Sequence, residues 1–378
     1  MNALRLRGPY RGWTGHDHHV REFVRALHHR GVQIQLSDIP EWSPLKLPAA
    51  LREPWFDSLR APVPAKVMLH FCMPPQVRLA RGLRNANFTM FEASRIPQQW
   101  LASNLRHDLV ILPTESSQRA WVDSGFPEER IRLCPLGVDP LLFRPGARPL
   151  PLQDVQGRDI QGFRYRFLNV SDVTPRKNVL GLLRVWLQVT TQEDDAVLIL
   201  KLSCGWRSWL RRFFYELAAM EAQMGKSRQK AAPSVFLINH PLGDRAMPAL
   251  YATATHYWSM SFGEGWDNPM LEAAAMGLQL IAPAHSAYTT YLDDSVATMI
   301  PARRVPAVFH WDRGLERLFQ GAEWWQPDEA IAAEVLRHIL RGSGQTPRRE
   351  ARSRVVQYFT WDRAAGRLVE IVEELEAR

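Results

Sequence analysis

The stretch Ser261-Phe-Gly-Glu-Gly-Trp-Asp-Asn-Pro-Met-Leu-Glu-Ala-Ala-Ala-Met-Gly277 decides the reading of this chain. It joins a glycine loop to a short helix. Asn268 is a favoured N-cap, Pro269 suits the first helical position, and Gly277 suits the position just past the last turn. The pattern predicts a helix over 269–276. Backbone at Gly263 and Gly265 can approach a ligand closely, and the free N–H groups and dipole of a helix start favour an anion. Glu264 in the loop and Glu272 in the helix bracket that place. They do not share a helix face, so they suit two hydroxyl-bearing parts of one extended ligand better than a paired acid and base. Read as structure alone, Glu272 complements the helix dipole, worth about 0.3–1 kcal/mol, and Glu264 is a solvated loop residue.

Outward from this segment, apolar runs at 167–170, 197–202, 235–238, 255–260 and 280–282 read as buried strands. Between the first two, Val179, Leu182, Leu183 and Trp186 fall on one helix face. Strands alternating with helices predict βαβ units on a parallel sheet covered on both faces. The first half repeats the theme. Val20, Phe23, Val24 and Leu27 form a helical stripe closed by Gly31, and strands are expected at 32–36, 67–71 and 109–112. Residues 145–162, rich in Pro and Gly at their start, read as a linker. The expected organisation is α/β, with a first domain over 1–148, a linker over 149–162 and a second domain over 163–345. A closing segment over 346–378 carries the stripe Trp361, Ala365, Leu368, Val372 and Leu375, which must pack on something already built. Two such halves create a cleft, with ligands at the carboxyl ends of the strands.

The chain has 378 residues and a formal charge of +8, with six Lys and 41 Arg among its cations. A basic balance suits an anionic partner: nucleic acid, a membrane surface or a phosphate-bearing small molecule. No nucleic-acid-binding motif is visible, so no nucleic acid is expected, and no G-x-G-x-x-G follows a strand, which disfavours a dehydrogenase. Cys72, Cys134 and Cys204 are too few and scattered for a disulfide framework or zinc site, and are expected as buried free thiols. No apolar run approaches the ~20 residues of a membrane span, and no signal-peptide pattern is seen. The expectation is a cytoplasmic protein, soluble or peripheral to a membrane. Residues 206–215 mix Trp, Phe and Tyr with Arg. They could lie in an anionic membrane interface or form a core-facing helix with a basic outer face.

A second segment, Asn169-Val-Ser-Asp-Val-Thr-Pro-Arg-Lys-Asn178, follows the first strand of the second half. Arg176 and Lys177 precede a helix capped by Asn178, where two cations can clamp a pyrophosphate. The alternative is a solvated basic turn. Both segments fall on one edge of the expected sheet, as a shared ligand requires.

In order and spacing these segments resemble the retaining glycosyltransferases of the GT-B fold, specifically the large family 4 group. Glu264 and Glu272 match its E-x7-E motif, and residues 167–178 match its P-x-K phosphate segment. Leu133-Cys-Pro-Leu-Gly-Val-Asp-Pro140 with Phe143-Arg-Pro145 matches the end of its first domain. Thr89-Met-Phe-Glu-Ala-Ser-Arg-Ile-Pro97 with Trp100 resembles a subgroup, and Phe359-Thr-Trp361 resembles the element that crosses back to the first domain.

The resemblance implies two Rossmann-like domains, a nucleotide-diphosphate sugar as donor, and no metal or other cofactor. Glu264 would contact the donor sugar, and backbone from Gly265 through Asn268, Pro269, Met270 and Leu271 would hold sugar and phosphate. Glu272 would take the ribose, Lys177 and Arg176 the diphosphate, and Leu242 would border the base. Ser171 and Asp172 stand where the family usually has Arg, which puts an anion where a cation is expected. Gly12 and Gly15 resemble the N-terminal glycine loop, with His16 lining the cleft. A metal at His16, His18 and His19 is not expected, because no carboxylate-rich motif accompanies them. His70 is a catalytic candidate at a strand end or else a buried, satisfied histidine, and Glu92 is an acceptor-side candidate. The acceptor would be a carbohydrate, lipid-linked or other hydroxyl, deprotonated by the leaving phosphate. The sugar, base and acceptor stay open. So do a sugar-nucleotide epimerase or phosphorylase, and a catalytically impaired protein that binds carbohydrate or a partner enzyme.

Overall fold

The computed structural model describes residues 1–42, 44–153, 157–226, 235–342 and 348–378, with the side chains of 348 and 349 excepted. Linker residues 154–156 and the expected boundary at 345/346 lie outside the described residues.

Two six-stranded sheets carry the chain. The first holds β1 (Ala3–Arg7), β2 (Gln33–Ser37), β3 (Val67–Phe71), β4 (Arg84–Phe88), β5 (Leu109–Leu112) and β6 (Ile131–Leu133), in the order β2-β1-β3-β4-β5-β6. The second holds β7 (Tyr165–Asp172), β8 (Ala196–Ser203), β9 (Val235–Ile238), β10 (His256–Trp258), β11 (Gln279–Pro283) and β12 (Thr298–Ile300), in the order β12-β11-β10-β7-β8-β9. Every pairing in both sheets is parallel. Parallel neighbours need crossover connections, and helices supply them. In the second sheet the strand order reverses between β7 and β10, and a crevice opens at such a point.

The strands expected at 67–71, 109–112 and 235–238 form over those same residues. The run at 255–260 makes a shorter strand, β10, which closes with Ser259 N–H on Ile281 O of the neighbouring strand. Not foreseen were β1, β4, β6, β12 and an antiparallel hairpin of β13 (Ala302–Pro306) and β14 (Glu323–Pro327).

The helices that matter here are α1 (Gly15–His29), α2 (Val179–Val189), α3 (Arg207–Met224), α4 (Asn268–Ala275), α5 (Arg348–Tyr358) and α6 (Trp361–Glu376). Thr14 caps α1 by accepting from Asp17 N–H. Asn178 caps α2 from a left-handed backbone, φ 49°, its side chain accepting from Gly181 N–H. The stripe Val179, Leu182, Leu183 and Trp186 is buried in the core of the second half, as its spacing required.

The closing helix α6 lies on the first half, with Trp361 5.4 Å from the Phe23 ring of α1. The chain reaches it through a tight crossing: Val138 N–H donates to Phe359 O at 2.9 Å. A Cβ on Gly137 would come within 2.2 Å of the Thr360 carbonyl carbon, so only glycine fits there. Helix α3 buries Phe213 and Leu217 but leaves Tyr215 70% exposed, and Trp206, just before its first residue, is 54% exposed. Among the described residues no helix is long and apolar enough to cross a membrane. Cys72 and Cys134 are buried thiols as expected, whereas Cys204 is half-buried because the loop after β8 carries it to a cavity wall.

Candidate active site

A cavity of about 650 Å³ opens between the two sheets. One wall comes from the first half: Trp13, Thr14, Gly15, His18 and Arg21, with Trp42 and Lys46 beyond. The facing wall comes from the carboxyl ends of β7 and β8, the start of α4, and Leu242. Of the expected residues, Gly15, Ser171, Asp172, Lys177, Leu242, Asn268, Pro269 and Glu272 border this space.

Behind Lys177 lies a buried charge cluster. Lys177 Nζ donates to Glu264 Oε1 at 2.6 Å, and Arg176 Nη1 donates to Glu264 Oε2 at 3.1 Å and to Gly263 O at 2.5 Å. Arg176 Nη2 also lies 3.6 Å from Glu92 Oε1. Burial by itself would lift the Glu264 carboxyl, but the Lys177 and Arg176 cations outweigh it and hold Glu264 ionised. The same attraction outweighs burial at Lys177 and raises its pKa. Glu264 is therefore not a solvated loop residue: it is 5% exposed and turned onto its two cations rather than into the cavity. Glu92, expected on the acceptor side, is instead the second carboxylate on Arg176.

The loop holding Glu264 is tightly shaped. Glu264 N–H donates to Ser286 Oγ at 3.2 Å, and His285 Nε2 lies 2.8 Å from Ser261 O. A Cβ on Gly263 would lie 2.6 Å from Glu92 O, so the segment after β4 packs directly on this loop. The helix begins at Asn268, one residue earlier than expected. Its cap is Asp267, in a left-handed backbone at φ 68° with no side-chain bond to the helix; that carboxylate takes the Tyr288 hydroxyl at 2.7 Å instead. Asn268 is thus a first-turn residue and not the cap. Met270 and Leu271 are fully buried in the core, and neither they nor Gly265 reach the cavity.

Glu272 faces the cavity and is tied from behind by Tyr251, whose hydroxyl donates to Oε2 at 2.6 Å. Burial lifts its pKa to about 7, against the pull of His18 and of that hydroxyl. Across the gap, His18 Nε2 lies 3.4 Å from Glu272 Oε1 and Nδ1 lies 3.4 Å from Asp244 Oδ1. Burial opposes a charge on His18, but Asp244, Glu22 and Glu272 together lift its pKa to about 9. Arg21 grips Asp244 in a fork, Nε to Oδ2 at 3.0 Å and Nη2 to Oδ1 at 2.9 Å.

These contacts correct the reading of the histidines. His18 borders the cavity and His16 does not; two residues' steps turn the side chain by about 200° around α1. His16 packs on Trp42 in a tilted arrangement, with ring centroids 4.7 Å apart, and burial lowers its pKa to about 4. The carboxylates missing from the local sequence do surround His18: Glu22 from the next turn and Asp244 from the other half. Their oxygens and a His18 nitrogen lie within 4.8 Å of one another, close enough to hold a metal ion. Arg21 and Arg25 already neutralise both carboxylates, so the donor set is poor for a cation.

Two other candidates lie away from the cavity. His70 is fully buried, and burial with the nearby His107 and Arg7 lowers its pKa to about 3, so it stays neutral. Its strand alternation puts it on the face opposite Phe71, which packs on His19 of α1. Gly12 is buried behind the wall, its N–H on Asp17 Oδ1 at 2.6 Å and its carbonyl on Arg21 Nη1 at 2.6 Å.

No family model matches the chain, and no curated protein matches its sequence. Solved structures do resemble it. Sucrose-phosphate synthase from Thermosynechococcus elongatus superposes with a TM-score of 0.68 at 16% identity, covering 100% of both chains. HepE from Anabaena, in complex with UDP and glucose, gives 0.66 at 11% identity over 99% of this chain and 100% of its own. A glycosyltransferase from Rickettsia africae gives 0.62 at 12% identity over 99% of this chain and 98% of its own. The fold is GT-B. In GT-B terms, the cavity is the cleft between the two Rossmann-like sheets, and the Glu264 cluster sits beside the strand-order reversal of the second sheet.

Proposed function

We propose that this protein is a glycosyltransferase that moves a sugar from a nucleoside-diphosphate sugar to a hydroxyl acceptor, with retention and without a metal. One observation carries the reading. The buried Arg176–Lys177–Glu264 cluster and the cavity-facing Glu272 flank the start of α4, at the strand-order reversal of a cleft large enough for a nucleotide. HepE, of the same fold, has been seen with UDP-glucose, which favours a nucleotide sugar here too.

In this reading the second half takes the donor and the first half the acceptor. The diphosphate settles at Lys177 and the N–H groups at the start of α4. The phosphate competes with Glu264 for Lys177, which frees the carboxylate for sugar hydroxyls. Glu272 accepts from the ribose, and Leu242 borders the base. The sugar–phosphate bond breaks as charge grows on a leaving group that Lys177 and Arg176 stabilise. That phosphate oxygen takes the acceptor's proton, on the face it has just left, so configuration is retained. The domain boundaries near 149–162 and 345 belong to the same proposal.

The acceptor end of the cleft is lined by Trp13, Trp42, Trp206 and Trp209, which suits a carbohydrate or lipid-linked acceptor. The exposed Trp206 at the cap of α3 and Tyr215 on it, with Arg207 and Arg211, would support peripheral contact with an anionic membrane. Co-sedimentation with anionic vesicles that is unchanged in Trp206→Ala would remove that contact. A binding-only role is the second reading, favoured by Asp172 on the cavity wall and by the neutralisation of both clamp cations. Slow hydrolysis of a panel of nucleotide sugars separates the two. The transferase hydrolyses at least one donor and loses that activity in Glu264→Ala and Lys177→Ala. Nucleotide binding without turnover of any donor would leave the binding role.

A further inference from the structure

Lys201 is a buried cation outside the Arg176–Lys177–Glu264 cluster. It lies on β8, 5% exposed, and borders the cavity. Its ammonium stands 4.9 Å from the centroid of the Trp13 ring across the cleft. Among the described residues no carboxylate pairs with it. The other buried cations of the cavity wall are already engaged, Lys177 by Glu264 and Arg21 by Asp244. Lys46, at the half-buried rim, is the remaining lysine of the lining.

An unpaired ammonium inside a folded protein is costly and persists where it has a task. We propose that Lys201 is an anion-binding residue of the cleft, its ammonium, resting over the Trp13 face, holding a phosphate-type oxyanion of the ligand on its other side. The assignment deepens the glycosyltransferase reading and, as far as the ligand's identity goes, rests on it. Three features of the site support it. The charge cluster at Arg176 and Lys177 is balanced by Glu264 and Glu92, so it presents little net positive charge until Glu264 lets go. On the neighbouring strand, Lys201 pairs in register with Val170, just before Ser171 and Asp172 at the cavity wall. Burial alone lowers its pKa, to about 8, which leaves it largely protonated at neutral pH and ready to accept a partner.

The oxyanion could belong to the diphosphate of the donor or to an acidic group on the acceptor. Calorimetric titrations of wild type, Lys201→Met and Lys201→Arg decide between them. One arm uses UDP, with uridine as control. The other adds inorganic phosphate to protein already saturated with UDP. A charge-assisted contact of this kind predicts a loss of about 10- to 100-fold in Lys201→Met, with Lys201→Arg close to wild type. A loss in the UDP arm with uridine unchanged assigns the donor diphosphate. A loss in the phosphate arm assigns an acidic acceptor. Lys201→Met should be no less stable than wild type without ligand, since it removes a buried unpaired charge. Equal affinities for wild type and Lys201→Met in both arms overturn the proposal, as does a wild type that binds neither anion. If UDP fails to bind but phosphate alone binds in a Lys201-dependent way, the anion site stands and the nucleotide-sugar reading falls.

Discussion

Removing the Glu264 carboxylate should both destabilise the protein and make it bind polyanions more tightly. Glu264 lies 2.6 Å from Lys177 Nζ and 3.1 Å from Arg176 Nη1, with all three side chains largely buried. At an effective dielectric of ~20, each such pair attracts by about 5–6 kcal/mol. Much of that is offset by desolvation, and breaking a buried pair by deleting one partner costs about 3–5 kcal/mol. Glu264→Ala should lose stability in that range, measured by urea unfolding at pH 7. The loss reflects two buried cations left without their hydrogen-bonded carboxylate, with Glu92 beside Arg176 and only the more distant Asp172 and Asp267 acting on Lys177. Pyrophosphate offers them a replacement, so it should stabilise Glu264→Ala more than wild type, while donor hydrolysis is abolished. The same carboxylate is held ionised in the fold, so its contribution is present above the ordinary carboxylate pKa and fades as pH falls below it. A variant within about 1 kcal/mol of wild type, with no added response to pyrophosphate, would refute the reasoning.

Three further outcomes follow from the geometry. Gly263→Ala should lower stability by about 1–3 kcal/mol, because its Cβ would stand 2.6 Å from the backbone oxygen of Glu92; unchanged thermal melting contradicts this. His18 has its pKa raised from 6.5 to about 9, so its contribution is complete below pH 6.5 and lost as pH rises through 9. His18→Gln should flatten that alkaline decline in a stability–pH profile, and an unchanged profile counts against the role given to His18. Asp244→Asn removes the charge that Arg21 grips across the cleft and should loosen the hold of one half on the other. Small-angle scattering should then show a larger radius of gyration for the variant, and an identical one contradicts the cross-cleft contact.

Much of the second half was legible because its strands are continuous apolar runs and its helix carries a clean stripe. Strand β4 was not, since Arg84-Asn-Ala-Asn-Phe88 reads as a polar loop. Asn87 is nevertheless fully buried, its amide donating to Asn104 Oδ1 at 3.2 Å. Strand β1 alternates Leu with Arg, and buried Arg7 finds partners far off in sequence, its guanidinium donating to Gln76 O at 2.8 Å and lying 3.8 Å from Glu41 Oε1. Strands β6 and β12, three residues each, are too short to leave a period. At the site, Lys177, Glu272 and the α4 start were visible as local motifs. The contact of His18 and Arg21 with Asp244 was not, because it joins residues more than 220 positions apart and depends on how the halves meet. The turning of Glu264 onto Arg176 and Lys177 has the same origin. Sequence spacing placed the three on one sheet edge, and the charges then satisfied one another. Lys201 carried a faint signal, a lone Lys inside the apolar run Leu198-Ile-Leu-Lys-Leu202.

The central claim is that the cleft takes a nucleoside diphosphate at Lys177. A thermal-shift panel of UDP, GDP and ADP and their sugar conjugates, run on wild type and Lys177→Ala, tests it most directly. At 100 times its dissociation constant a ligand stabilises by about 2.7 kcal/mol, enough to move the melting point by several degrees. The expected result is stabilisation by at least one nucleotide, lost in Lys177→Ala. No shift with any nucleotide, or a shift of equal size in Lys177→Ala, would contradict it.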